Sequence, residues 1–104
     1  MTRRPLMMGN WKMNLDSAAA RSLAEGLVRG TRTTFAGPEM VVCPSFLHIP
    51  AVASILDGSK IAWGGQDCVA QEPGACTGGT SAEQLKDLGA RWVILGHSER
   101  RQIF

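Results

Sequence analysis

The stretch Trp92-Val93-Ile94-Leu95-Gly96-His97-Ser98-Glu99-Arg100-Arg101 sets four apolar side chains directly before a polar hexamer. An apolar run that does not alternate with polar residues has the pattern of a strand buried on both faces, as in a parallel sheet covered by helices. The polar residues then fall just beyond the strand's C-terminal end, where α/β folds gather their working groups. Three earlier runs have the same form: Leu6-Met7-Met8, Met40-Val41-Val42-Cys43 and Ile61-Ala62-Trp63. Periodicity alone leaves short buried helices open, but brevity and the flanking Gly and Pro favour strands.

Helical patterns lie between these runs. Asp16 and Ser17 are candidate caps for a segment with apolar positions Ala19, Ala20, Leu23, Ala24, Leu27 and Val28, a stripe of helical period. Arg21, Glu25 and Arg29 recur four apart on another face, and Gly30 is placed to end the helix. A weaker helix covers about Pro50 to Leu56. In a third, Thr80-Ser81-Ala82-Glu83 fits a capping box, Leu85 and Leu88 face inward, and Gly89 suits the C-cap. The order is β-α-β-α-β-α-β, with each crossover long enough to return parallel. This defines an α/β fold, either an open doubly wound sheet or part of a (β/α)8 barrel.

The chain has 104 residues, 44% hydrophobic and 19% charged, as expected of one globular domain, residues 1–104, without internal boundary. The formal charge of +2 is spread along the chain rather than drawn into a basic stripe, so no nucleic-acid partner is expected. Three cysteines, Cys43, Cys68 and Cys76, make an odd count with no C-x-x-C pair, which argues against a disulfide framework. With His48 and His97 as the only histidines, no metal site is expected either. Reduced, mostly buried thiols in a cytoplasmic protein fit better. The basic start Met1-Thr2-Arg3-Arg4-Pro5 is followed by too short an apolar run for a signal peptide, and no stretch is long enough to span a membrane.

Polar residues follow three of the four strands: Asn10 and Lys12 the first, Gln66 and Asp67 the third, and His97, Ser98 and Glu99 the fourth. Singly, Lys12 reads as a solvated loop lysine and His97 as a hydrogen-bonded loop histidine. Their shared position on one rim gives them a functional reading. Gly96-His97-Ser98-Glu99-Arg100 begins like a nucleophile elbow, but Arg100 replaces its second glycine. Adjacent His, Ser and Glu also cannot fold back into a nucleophile–base–orienter triad. The glycine-rich stretch from Gly74 to Gly79 lacks the Lys-Ser/Thr of a P-loop. What remains is a cation, an amide and an imidazole, a set suited to polarising a carbonyl and stabilising an enediolate. It has no obvious general base; Glu99 is available but lies directly beside the imidazole.

Gly9-Asn10-Trp11-Lys12-Met13-Asn14 resembles the strand-1 signature of the triosephosphate isomerase family, and the hexamer Gly96 to Arg101 resembles its strand-4 signature. Gly74-Ala75-Cys76-Thr77-Gly78 and the run Ser81 to Gly89 resemble the family's long third loop and its helix, in family order. The resemblance implies a TIM barrel, of which this chain is the N-terminal portion. It further implies a cofactor-free cytoplasmic isomerase of glycolysis and gluconeogenesis, interconverting dihydroxyacetone phosphate and glyceraldehyde 3-phosphate. Asn10 would bond a substrate oxygen, Lys12 would offset phosphate and enediolate charge, and His97 would be the neutral electrophile. Ser98 and Glu99 would be auxiliary. A homodimer is implied through the 67–80 loop, with Gln66 at its base and Thr77 reaching into the partner's site to brace Asn10 and Glu99. Two positions depart from the family pattern: Gly79 where glutamate is usual, and Asp67 where asparagine is usual.

A full barrel needs about 250 residues. The glutamate base, the closing lid and the phosphate loops that the family carries on later strands would follow Phe104. Alone, the four strands would leave two sheet edges and inward-facing side chains uncovered. The ordered form is therefore expected to contain the C-terminal half, as a second chain or a lost continuation. A second reading is a non-catalytic half-barrel that binds phosphate weakly or serves in folding and assembly.

Overall fold

The computed structural model describes residues 3–32 and 37–104. Its elements are β1 (Leu6–Asn10), α1 (Ser17–Gly30), β2 (Glu39–Cys43), a 3-10 turn (Phe46–His48), α2 (Ile49–Leu56), β3 (Ile61–Gly65), α3 (Ala82–Asp87), β4 (Trp92–Val93) and α4 (Ser98–Ile103). The four strands form one parallel sheet in the order β1-β2-β3-β4. This is the curled N-terminal portion of a TIM barrel, and α4 adds a short helix after β4 to the expected element order.

Register sorts the side chains. Met40 and Val42 of β2 pair with Ile61 and Trp63 of β3, so these four share a face. Onto that face pack Ala20 and Ala24 of α1 and Val52 and Leu56 of α2, forming with Val42 and Ile61 a core sealed by Trp11, Leu15, Leu27 and Val28. The opposite, barrel-interior face carries Met8, Val41 and Ala62 in one row and Asn10 beside Cys43 in the next.

The helix ends are specific. Asp16 Oδ1 accepts the Ala19 N–H at 2.8 Å and so caps α1. Gly30 is still helical; Thr31 terminates α1, its N–H and hydroxyl both donating to Leu27 O. The capping box of α3 is Ser81 with Gln84, one residue later than the expected Thr80–Glu83 pairing. Ser81 is the residue that turns extended just before the helix, which leaves its hydroxyl facing the Gln84 N–H. At the other end Gly89 has φ +84°, the Gly89 N–H donates to Lys86 O and the Ala90 N–H to Leu85 O, a Schellman closure.

Two close approaches fasten α3 and β4. A Cβ on Gly89 would lie 2.8 Å from the Trp63 ring, whose indole N–H donates to Leu88 O at 2.9 Å. A Cβ on Gly64 would lie 2.5 Å from Trp92 O, so glycine there sets the β3–β4 spacing.

Burial on both faces is found in β2, where Val41, Val42 and Cys43 are all buried, but not in β1. There Leu6 and Met7 are exposed, because β1 has a strand neighbour on one side only among the described residues. β1 also runs on to Asn10, carried by pairing of Gly9 with Val42 and Asn10 with Cys43. β4 is shorter than the apolar run: Ile94 N–H still reaches Gly65 O, but β3 ends there and Leu95 is exposed.

Leu56 is fully buried at the centre of this core. Denaturant unfolding of the complete protein is expected to show Leu56→Ala destabilised by about 2–5 kcal/mol. Loss of the α3 cap in Ser81→Ala is expected to cost about 1 kcal/mol. A Leu56→Ala cost near zero would contradict this placement of the core.

Candidate active site

The C-terminal ends of the strands open into a cleft of about 600 Å3, lined among others by Asn10, Lys12, Gln66, Asp67, His97 and Glu99. Residues from β1, β3 and β4 that are far apart in sequence therefore meet on one rim, as their positions after separate strands implied.

Lys12 is held from every side. Its backbone has φ +55°, the only positive φ at a non-glycine among the described residues. Such a conformation costs on the order of 1–3 kcal/mol and persists only where its surroundings determine it. Here Asn10 Oδ1 accepts the Lys12 N–H at 2.9 Å, while Ser45 Oγ (2.9 Å) and Gln66 Nε2 (2.8 Å) both donate to Lys12 O. The turned backbone sends the side chain across the rim, where Nζ donates to Glu99 Oε1 at 2.6 Å. That hydrogen bond, aided by the Lys12 charge, holds the Glu99 carboxyl below its usual range against a smaller desolvation effect.

His97 is the N-cap of α4, and its Nδ1 accepts the Glu99 N–H at 3.2 Å. An N-terminal helix amide can only donate, so Nδ1 is the lone-pair nitrogen and the proton sits on Nε2. The Glu99 carboxylate does not reverse this, since Oε2 is 3.7 Å from Nδ1, too far for a hydrogen bond. The imidazole is thus presented as a neutral ring with one N–H to donate. Ser98 opens α4 and is exposed.

Gln66 Nε2 donates to Cys43 O (2.9 Å) as well as to Lys12 O, so its amide knits the ends of β1 and β2 within this chain. Asp67 turns the other way, its Oδ2 3.1 Å from Arg100 Nε of α4. Arg100 also lies over the Phe104 ring at 4.6 Å. Ser45 and Arg100 escaped sequence reasoning; the rule that picked out residues after strands 1, 3 and 4 reaches Ser45 when applied to strand 2.

The loop after Asp67 is folded on itself: the Val69 N–H donates to Thr80 O and the Gly79 N–H to Cys76 O. A Cβ on Gly79 would lie 2.8 Å from Val69 Cγ1 and 2.9 Å from Cys76 Sγ, so this loop conformation needs glycine there. Thr77 sits exposed on the loop and does not itself line the cleft, although Gly78 beside it does. Among the described residues no three His, Cys, Asp or Glu side chains group as metal ligands, and no helix is long and apolar enough to cross a membrane.

A parallel half-barrel that gathers an amide, a lysine and an imidazole on its C-terminal rim has the groups needed to polarise a carbonyl. Comparison with known proteins matches residues 5–104 to the triosephosphate isomerase family, and the chain belongs to that family. It is 46% identical over 99 residues to a triosephosphate isomerase of Gluconacetobacter diazotrophicus, covering 95% of this chain and 40% of the relative. With that of Cutibacterium acnes the identity is 50% over 109 aligned positions (98% and 41%), and with that of Nitrosococcus oceani 45% over 102 (98% and 40%). The chain thus spans about 40% of the length of these relatives.

A titration and an alkylation check the geometry. By NMR, the Glu99 carboxyl is expected to titrate below the ordinary glutamate value of about 4.3 and to rise to it in Lys12→Ala. The Lys12–Glu99 pair is present above that lowered midpoint and is lost as pH falls through it. Burial pushes the Cys43 thiol up to about 11. At pH 8 it is then about one part in a thousand thiolate, and iodoacetamide is expected to leave it unmodified until the protein unfolds.

Proposed function

We propose that this chain supplies the electrophilic side of a triosephosphate isomerase, which interconverts dihydroxyacetone phosphate and D-glyceraldehyde 3-phosphate through an enediolate. The observation that carries the reading is the meeting of Lys12, Asn10 and His97 in one cleft. Proton removal next to a carbonyl builds negative charge on that carbonyl oxygen. A neutral imidazole N–H and an ammonium beside it stabilise the charge as it forms, and the amide fixes the substrate oxygen. No cofactor enters this chemistry.

The base comes from the remainder of the barrel, as a continuation of the chain or a second chain. Both carboxylates lining the cleft are already engaged, Glu99 with Lys12 and Asp67 with Arg100, which leaves neither as a free base. Residues 1–104 then act as one piece of a single domain. The family membership supports a cytoplasmic enzyme of glycolysis and gluconeogenesis. It also supports a homodimer through the 67–80 loop, with Gln66 at its base and Thr77 reaching the partner's cleft. The exposure of Thr77 leaves it available for that contact.

The engaged carboxylates also favour a second reading for residues 1–104 by themselves: weak phosphate binding at Lys12 without turnover. In the complete protein, Lys12→Ala and His97→Gln are each expected to lower turnover of glyceraldehyde 3-phosphate by about 100-fold or more, with the circular dichroism spectrum unchanged. Parental turnover in either variant would sink the isomerase reading. Residues 1–104 alone are expected to bind inorganic phosphate in a Lys12-dependent way and to turn nothing over.

A further inference from the structure

The contacts on the rim form a closed circuit. Gln66 donates to Lys12 O; the chain passes from Gln66 to Asp67; Asp67 pairs with Arg100; the chain passes from Arg100 to Glu99; and Glu99 accepts from Lys12 Nζ. Every link but one is either covalent or made by a group already assigned to the site. The remaining link is the 3.1 Å ion pair between Asp67, just past β3, and Arg100, in the first turn of α4.

We propose that Asp67 is a positioning residue, which holds the first turn of α4 through Arg100 and so fixes where His97 and Glu99 stand relative to Lys12. α4 has no buried residue of its own to anchor it. Two ion pairs, with Asp67 and with Lys12, tie its first turn to the rim, and Gly96 joins it to β4. Gly96 has φ +60°, a left-handed turn that glycine adopts without steric cost, so the connection redirects the chain between β4 and α4. Both members of the ion pair are only half covered, so its value lies in direction rather than in bulk stability. Nε of Arg100 is the nitrogen nearest the helix backbone, so a carboxylate bound there constrains the helix more than one bound at the guanidinium tip.

The inference rests on the isomerase reading for its kinetic arm and stands apart from it in its spectroscopic arm. In the complete protein, Asp67→Ala and Arg100→Ala are each expected to lower kcat about tenfold while KM stays within about twofold. The double variant is expected to be no slower than the slower single one, because one link is broken in each case. A rise in KM with kcat unchanged would show a direct hold on substrate and overturn the proposal, as would additive losses. Carbon-13 NMR of the Glu99 carboxyl reads the positioning without turnover. Its lowered midpoint in the parent is expected to rise to the ordinary glutamate value in both single variants, as Glu99 draws away from Lys12. An unchanged midpoint overturns the proposal. If the parent shows no turnover while the midpoint responds, the isomerase reading fails and the positioning role stands. Asp67→Asn replaces Asp67→Ala should that variant not fold.

Discussion

The rim of a parallel sheet has a polar problem that its interior lacks. Strands diverge at their C-terminal ends, and the last carbonyls lose the neighbour that would have donated to them. In this chain one side chain bridges the ends of two strands: the Gln66 amide donates to Lys12 O, just past β1, and to Cys43 O, which also accepts the Trp11 N–H. Everything that distinguishes the cleft follows from that fixture. The Lys12 backbone can sit in a left-handed conformation because its carbonyl has donors waiting. Its side chain consequently crosses the opening instead of trailing into solvent. Asp67, the next residue, is thereby aimed at α4.

The apolar runs announced the four strands, and the alternation of runs with helical stripes announced their parallel return. Those signals survive in a lone sequence because they arise from local periodicity and burial. Boundaries were less legible. The β1 run stops at Met8 by hydropathy, yet the strand runs to Asn10, since backbone pairing with β2 does not depend on side-chain polarity. The Ser81–Gln84 box was misplaced by one residue because Thr80 and Ser81 are chemically equivalent caps; only the backbone turn at Ser81 separates them. In the site, Asn10, Lys12 and His97 stood out through their places after strands. Gln66 was read as the base of a subunit contact, and its intrachain role is a tertiary fact with no local trace. The Asp67–Arg100 pairing joins residues 33 positions apart and is equally invisible to spacing.

The apolar core and the polar rim occupy different ends of the molecule. Ala20, Ala24, Val52 and Leu56 bury their side chains against β2 and β3 beneath the rim. The rim itself is built from exposed or half-exposed polar groups whose contacts add direction more than cohesion. Cys43 stands at the boundary. Its carbonyl serves the rim through Gln66, while its thiol is buried and proton-bound at neutral pH.

The strands lie side by side in the order in which they occur in the chain. No strand has to be threaded between two earlier ones, so a polypeptide emerging from the ribosome can add each β/α unit to a finished edge. The apolar core closes once β3 arrives, whereas the circuit through Lys12 closes only with α4. Synthesis therefore delivers every residue of that core before it delivers α4, and the anchor of the Lys12 side chain is among the last contacts the chain can make.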